Sequence, residues 1–138
     1  MRAYLDASVL LRMLLGEPDP LAEWDDLEAG VTSALAEVEI LRTLDRVHLT
    51  SPTVDGRVLA RLREEAYRLL EGIEVLELTR SILMRAAQPM PTPLGTLEAV
   101  HLVSAQAYWE ANEPLRFATH DRALAAAARA SGFHVIGV

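Results

Sequence analysis

The sequence predicts an α/β fold in which a parallel sheet is covered by helices on both faces. Two observations carry that expectation. Short apolar runs of strand length alternate with longer segments of helical periodicity, the pattern of parallel strands joined by crossover helices. Two of these runs also end directly in an aspartate: Ala3-Tyr4-Leu5 leads into Asp6, and Leu115-Arg116-Phe117-Ala118-Thr119-His120 leads into Asp121. The carboxyl ends of strands are where an open α/β sheet places ligands and chemistry.

Taken in order, residues 2–5 read as a strand and 8–16 as a helix. Pro18 and Pro20 open a second, acidic helix ending near Gly30. Val31-Thr32 is a short strand leading to Ser33, an N-cap for a helix through about Val47. Ser51-Pro52 starts the next helix, with Val58, Leu59, Leu62, Ala66, Leu69 and Leu70 at helical spacing, and Gly72 stops it. Residues 73–78 form a strand, and 79–87 a helix that ends before the proline-rich loop Gln88-Pro89-Met90-Pro91-Thr92-Pro93. A long helix over 96–111 follows, then strand 115–119, helix 122–131, Gly132 as a stop, and a last strand over 133–136. There is no repeat, low-complexity stretch or linker, so residues 1–138 form a single domain.

Composition removes several kinds of chemistry. There is no cysteine, so disulfides and thiolate zinc sites are excluded, and a reducing cytoplasm suits the chain. All 13 basic residues are arginines, which excludes Schiff bases and Walker-type phosphate binding; an arginine-rich codon bias is the simple cause. Asp6 and Arg12 interrupt the N-terminal apolar stretch, leaving neither a signal-peptide core nor a membrane span there. The net charge of −7 opposes bulk attraction to nucleic acid. Bound cations can reverse that sign locally, and the same acidity suits a basic protein partner.

Two more acids, Glu39 and Glu98, lie within the first two turns of their helices. In a parallel fold, helix N-termini face the same edge as strand C-termini, so Asp6, Glu39, Glu98 and Asp121 can converge there. Four carboxylates in a small space repel one another, and divalent cations are the usual compensation. Oxygen ligands without thiolates favour Mg²⁺ or Mn²⁺. Two such ions can activate water and stabilise the leaving oxygen of a phosphodiester.

These residues carry a family resemblance. Tyr4-Leu5-Asp6-Ala7-Ser8-Val9-Leu10-Leu11, Thr32-Ser33-Ala34-Leu35 with Glu39-Ile40-Leu41-Arg42, Leu97-Glu98-Ala99-Val100-His101-Leu102 and Ala118-Thr119-His120-Asp121 resemble PIN-domain nucleases, and among them the VapC-type toxins of toxin–antitoxin pairs. The motifs stand in order across nearly the whole chain. The resemblance implies a five-stranded parallel sheet and a Mg²⁺- or Mn²⁺-dependent endoribonuclease acting on RNA. It also implies a basic antitoxin as inhibitor and a homodimer. It places Asp6, Glu39, Glu98 and Asp121 as catalytic metal ligands, with Thr119 and Ser8 as supporting hydroxyls. The family pattern most often has aspartate at position 98; glutamate carries the carboxylate roughly 1.5 Å further from the backbone. Octahedral Mg²⁺ tolerates misplaced ligands poorly, so a catalytically weakened module that binds a partner or RNA is the competing reading.

Each acid also has an ordinary role open to it. Asp6 and Asp121 can cap helices, Glu39 can join an ion-pair ladder with Arg42 and Arg46, and Glu98 can complement a helix dipole. Glu37 rivals Glu39, which the resemblance selects. His101 is expected to pack beside its helix, His120 to be an exposed loop residue and His134 to be structural. Trp24, Trp109, Tyr67 and Tyr108 read as packing or interface residues. Arg57, Arg61, Arg63 and Arg68, interspersed with Glu64 and Glu65, read as a solvated face. Val9, Leu10, Met13 and Leu14 suit either a dimer face or the core. A phospho-receiver domain needs a lysine that this chain lacks, and a haloacid-type phosphatase needs an aspartate where Ser8 stands.

Overall fold

The first strand, β1 (Arg2–Leu5), places Ala3, Tyr4 and Leu5 wholly inside the protein. An apolar run with no polar alternation fits a strand covered on both faces. The computed structural model describes residues 1–138 and sets β1 at the centre of a five-stranded sheet of order β3-β2-β1-β4-β5. Its partners are β2 (Ala29–Ser33), β3 (Glu74–Leu76), β4 (Arg116–Ala118) and β5 (Val135–Ile136). Every pairing is parallel, with Tyr4 opposite both Val31 and Phe117. The chain therefore winds outward on one side of β1 and then on the other, and the switch point lies between β1 and β4. That is the crevice where such sheets bind ligands.

Alternation along β1 builds two cores. Ala3 and Leu5 point to one face, where Val9 and Leu10 of α1 (Ala7–Leu14), Ile40 and Leu44 of α2 (Ala34–Thr50), and Leu62 and Leu70 of α3 (Gly56–Glu71) pack together. Tyr4 points to the other face, among Phe117, Leu102 of α5 (Thr96–Ala111) and Leu124 of α6 (Arg122–Ala130). Tyr4 stacks on Phe117 with ring centroids 5.2 Å apart, and Phe117 meets Phe133 edge-on at 5.5 Å. Burying each large side chain contributes roughly 1.5–3 kcal/mol. Ile82 of α4 (Arg80–Ala86) packs on Val100 and Val103 of α5. A two-pronged Arg85–Glu110 ion pair at 2.9 Å joins the same two helices. It holds the Glu110 carboxyl below its usual value, chiefly through the Arg85 hydrogen bonds.

The sequence-based boundaries fail in two places. Residues 18–30 form no helix: a short 3-10 turn covers Trp24–Asp26, and β2 already begins at Ala29. Gly16 and Asp19 both adopt positive φ, turning the chain before any helix can start. Leu21, Trp24 and Leu27 then dock onto the first core, and their spacing of three matches 3-10 rather than α periodicity. The helix expected from Ser51-Pro52 begins instead at Gly56. Asp55 caps it, its Oδ1 accepting from the Val58 amide at 2.9 Å. Ser51 closes α2, and a hydrogen bond between the His48 ring and the Val54 carbonyl (2.6 Å) holds the intervening turn. Strands β3, β4 and β5 are shorter than their apolar runs because only the paired residues extend the sheet.

Val9, Leu10 and Leu14 serve the core rather than an outer face. Trp109 packs on Phe133 at 4.7 Å, as an aromatic packing residue should. Tyr108 donates to Glu74 at 3.0 Å, and burial followed by that contact raises its phenol above the ordinary value. Along α3, Arg61 pairs with Glu65 and Arg68 with Glu64, the solvated ladder that their spacing implies.

Candidate active site

Asp6 leaves β1 in extended conformation and caps α1, with Oδ1 accepting from the Ser8 amide at 3.1 Å. Its other oxygen, Oδ2, accepts from the Ser8 hydroxyl at 2.7 Å and the Thr119 hydroxyl at 2.5 Å. Both hydroxyls accept in turn from the far side of the switch point. Ser8 Oγ takes the His120 amide and Thr119 Oγ1 the Asp121 amide, each at 3.0 Å. Two backbone amides beyond β4 are thus relayed through two hydroxyls onto one carboxylate oxygen. The aspartate is 5% exposed, and such satisfaction is what a buried carboxylate requires. Ser8 and Thr119 thus both hold the Asp6 carboxylate.

Asp121 caps α6 through Oδ1, which accepts from the Leu124 amide at 2.9 Å. Glu39 projects from α2 and meets His101 of α5, its Oε1 lying 2.5 Å from Nε2. Glu98, in the first turn of α5, folds back over Gly95, where any Cβ would collide with its carboxylate. The capping readings of Asp6 and Asp121 therefore describe real hydrogen bonds, and they coexist with a location shared by all four acids. Asp6, Glu39, Glu98 and Asp121 line one cavity of about 400 Å³, with Ser8 on its wall. Glu37 does not line it.

None of the four acids has an arginine within ion-pair distance. Arg42 lines the cavity but is bound to Asp45 at 3.0 Å, and Arg46 reaches Thr43 at 3.5 Å. The ladder expected of Glu39 with those arginines is therefore absent. No three Asp, Glu or His side chains stand close enough to grip one ion between them. The donor set nonetheless fits a hard divalent cation. It offers four carboxylates facing one space, none of them paired with the arginines that share the cavity wall, and no sulfur ligand.

His101 overturns the expectation that it merely packs beside its helix. It is 1% exposed, with Nδ1 2.8 Å from the Tyr4 hydroxyl and Nε2 against Glu39. Every residue from Ala99 to Ala105 is buried, so a histidine within that run needs partners on both ring nitrogens. Burial, then the charge of Asp6, with Glu39 adding to it, raises the Tyr4 phenol well above its ordinary value. His120 is half-buried rather than exposed: its Nδ1 lies 2.6 Å from the Gly137 carbonyl, and its Nε2 is buried without a partner. His134 is exposed beside β5, where its carbonyl accepts from the Phe117 amide.

A parallel α/β sheet with an acidic cavity at its switch point is the class of protein that fold and site define. The PIN domain model matches residues 3–130, and the chain belongs to the PIN domain family. Ribonuclease VapC47 of Mycobacterium tuberculosis is 31% identical over 137 residues, covering 94% of this chain and 92% of that protein. Ribonuclease VapC35 of the same species is 33% identical over 138 residues, covering 96% and 94%. A solved toxin-antitoxin complex from Klebsiella pneumoniae contains a chain that superposes with a TM-score of 0.65 over 91% of each chain, at 14% identity. That last likeness is one of fold.

Proposed function

We propose that this chain is a Mg²⁺- or Mn²⁺-dependent endoribonuclease and the toxin of a toxin–antitoxin pair. The observation that carries the reading is the meeting of four carboxylates, without arginine partners, at the sheet's switch point. Membership of the PIN family and relatives that are ribonucleases by name support the substrate class. The toxin-antitoxin neighbour and the net charge of −7 support a basic antitoxin. No helix is long and apolar enough to cross a membrane, and we place the activity in the cytoplasm. A homodimer is part of the same reading, supported by the exposed Leu83 and Met84 on α4.

Asp6, Glu39, Glu98 and Asp121 would hold the cation. When bound, it supplies an activated water and neutralises charge at the phosphodiester. The chain's own residues do the positioning. Ser8 and Thr119 fix the Asp6 carboxylate against rotation, while the α6 cap leaves Asp121 Oδ2 free to face the cavity. Arg42 and Arg46 border the same cavity and are suited to neighbouring phosphates of the RNA.

Cleavage of a mixed RNA pool, with Mn²⁺ and with chelator, beside Asp6→Asn tests this reading. Cleavage should need both the metal and Asp6; unchanged metal-dependent cleavage by the variant would sink the assignment. The folding back of Glu98 over Gly95 favours a second reading, a weakened nuclease that binds its partner but cleaves poorly. A slow parent accelerated by Glu98→Asp would select it.

A further inference from the structure

We propose that His101 is a positioning residue of this site, holding Glu39 from the buried side and fixing which carboxylate oxygen faces the cavity. The role rests on the nuclease reading for its consequence, though not for its geometry. One imidazole joins three elements: it belongs to α5, its Nδ1 meets Tyr4 of β1, and its Nε2 meets Glu39 of α2. Tyr4 stands two residues before Asp6, and Glu98 stands one helical turn before His101. The ring thus ties Glu39 to the elements that carry two of the other three acids.

The direction of the hydrogen bonds follows from their chemistry. The Glu39 carboxylate only accepts, so Nε2 carries the ring hydrogen and donates to Oε1, and in that tautomer Nδ1 accepts from the buried Tyr4 phenol. That contact occupies Oε1 and leaves Oε2 for the cavity, making Glu39 a one-oxygen ligand. Tyr4 itself cannot turn away, because it is wholly buried, stacked on Phe117 and edge-on to His101 at 5.9 Å. A plain core residue explains none of this. An apolar side chain at position 101 would fill the same volume while orphaning the phenol and freeing Glu39 among its rotamers. A hydrogen-bonded partner behind a ligand typically changes metal affinity or activity by roughly 10–100-fold.

The experiment compares the full-length parent with His101→Gln, His101→Leu and Glu39→Gln. In the metal-free parent, long-range ¹H–¹⁵N spectra should show His101 as the Nε2–H tautomer, with its Nε2 shift moving in Glu39→Gln. An Nδ1–H tautomer, or an Nε2 shift indifferent to Glu39→Gln, would overturn the proposal. By calorimetry, His101→Leu should bind Mn²⁺ roughly 10–100-fold more weakly, with kcat for RNA cleavage reduced more than KM is raised. His101→Gln, whose amide can reach Glu39 in place of Nε2–H, should recover most of both. Parent-like Mn²⁺ binding in folded His101→Leu would also overturn it, and if that variant fails to fold, the tautomer and the Gln rescue decide. A parent that neither takes up Mn²⁺ nor cleaves RNA refutes the nuclease reading instead, and the spectra still decide whether His101 holds Glu39.

Discussion

Thr119 shows how one hydroxyl can serve both the fold and the site. It is fully buried, donates to Asp6 and accepts from the Asp121 amide. Thr119→Val keeps the shape but strands a carboxylate oxygen and an amide proton at once. Leaving buried polar groups unmatched costs about 1–3 kcal/mol, so urea titration should show a loss in that range. Thr119→Ser, which keeps the hydroxyl, should stay close to the parent. Equal stabilities for Val and Ser at this position would mean that the relay contributes nothing. Asp6 was legible in the sequence because it follows an apolar run directly, and Thr119 because it precedes Asp121 in a recognisable motif. His101 was not. Its partners lie 62 and 97 residues away, and only the fold, which brings α2 and α5 from the two faces of the sheet into contact, sets them together.

At the scale of elements, the end of β5 reaches back to the site through Gly137. This residue adopts φ of 92°, and a Cβ on it would stand 2.8 Å from the Thr119 carbonyl and 3.3 Å from a Leu21 methyl. Its own carbonyl also lies 2.6 Å from the His120 ring nitrogen. Gly137→Ala therefore combines left-handed strain with a collision against backbone, and a melt should show a loss of about 1–3 kcal/mol. An unchanged midpoint would mean that β5 shifts away freely and does not brace the β4 loop. Elements defined by packing alone were legible: α5 spans Thr96–Ala111, and Gly72 and Ser33 mark helix ends where their chemistry says they should. The errors fall where two local signals compete. Ser51-Pro52 resembles a helix start, but Asp55-Gly56 supplies the cap that the chain uses. Pro18 and Pro20 likewise suggest a helix, yet the positive φ of Gly16 and Asp19 and the spacing of Leu21, Trp24 and Leu27 favour a 3-10 turn.

For the whole molecule, the acids of the cavity are both the proposed machinery and a local concentration of like charge. With 20 acidic residues against 13 arginines, the rest of the chain offers little to offset them. A ligand that binds only the native state stabilises it by mass action, by about 2.7 kcal/mol at a concentration 100 times its Kd. In a chain of this length each kcal/mol moves the midpoint by roughly 3–4 °C. Mn²⁺ at that excess should therefore raise the melting temperature by roughly 8–11 °C. Asp121→Asn isolates the charge, because asparagine retains the Oδ1 that caps α6 through Leu124 while losing the carboxylate's negative charge. Its metal-free midpoint should stay near that of the parent, and its Mn²⁺-induced rise should be smaller. A parent midpoint that does not move at millimolar Mn²⁺ would count heavily against a cation among these acids. An equal rise in parent and variant would remove Asp121 from the ligand set while leaving the other three in place.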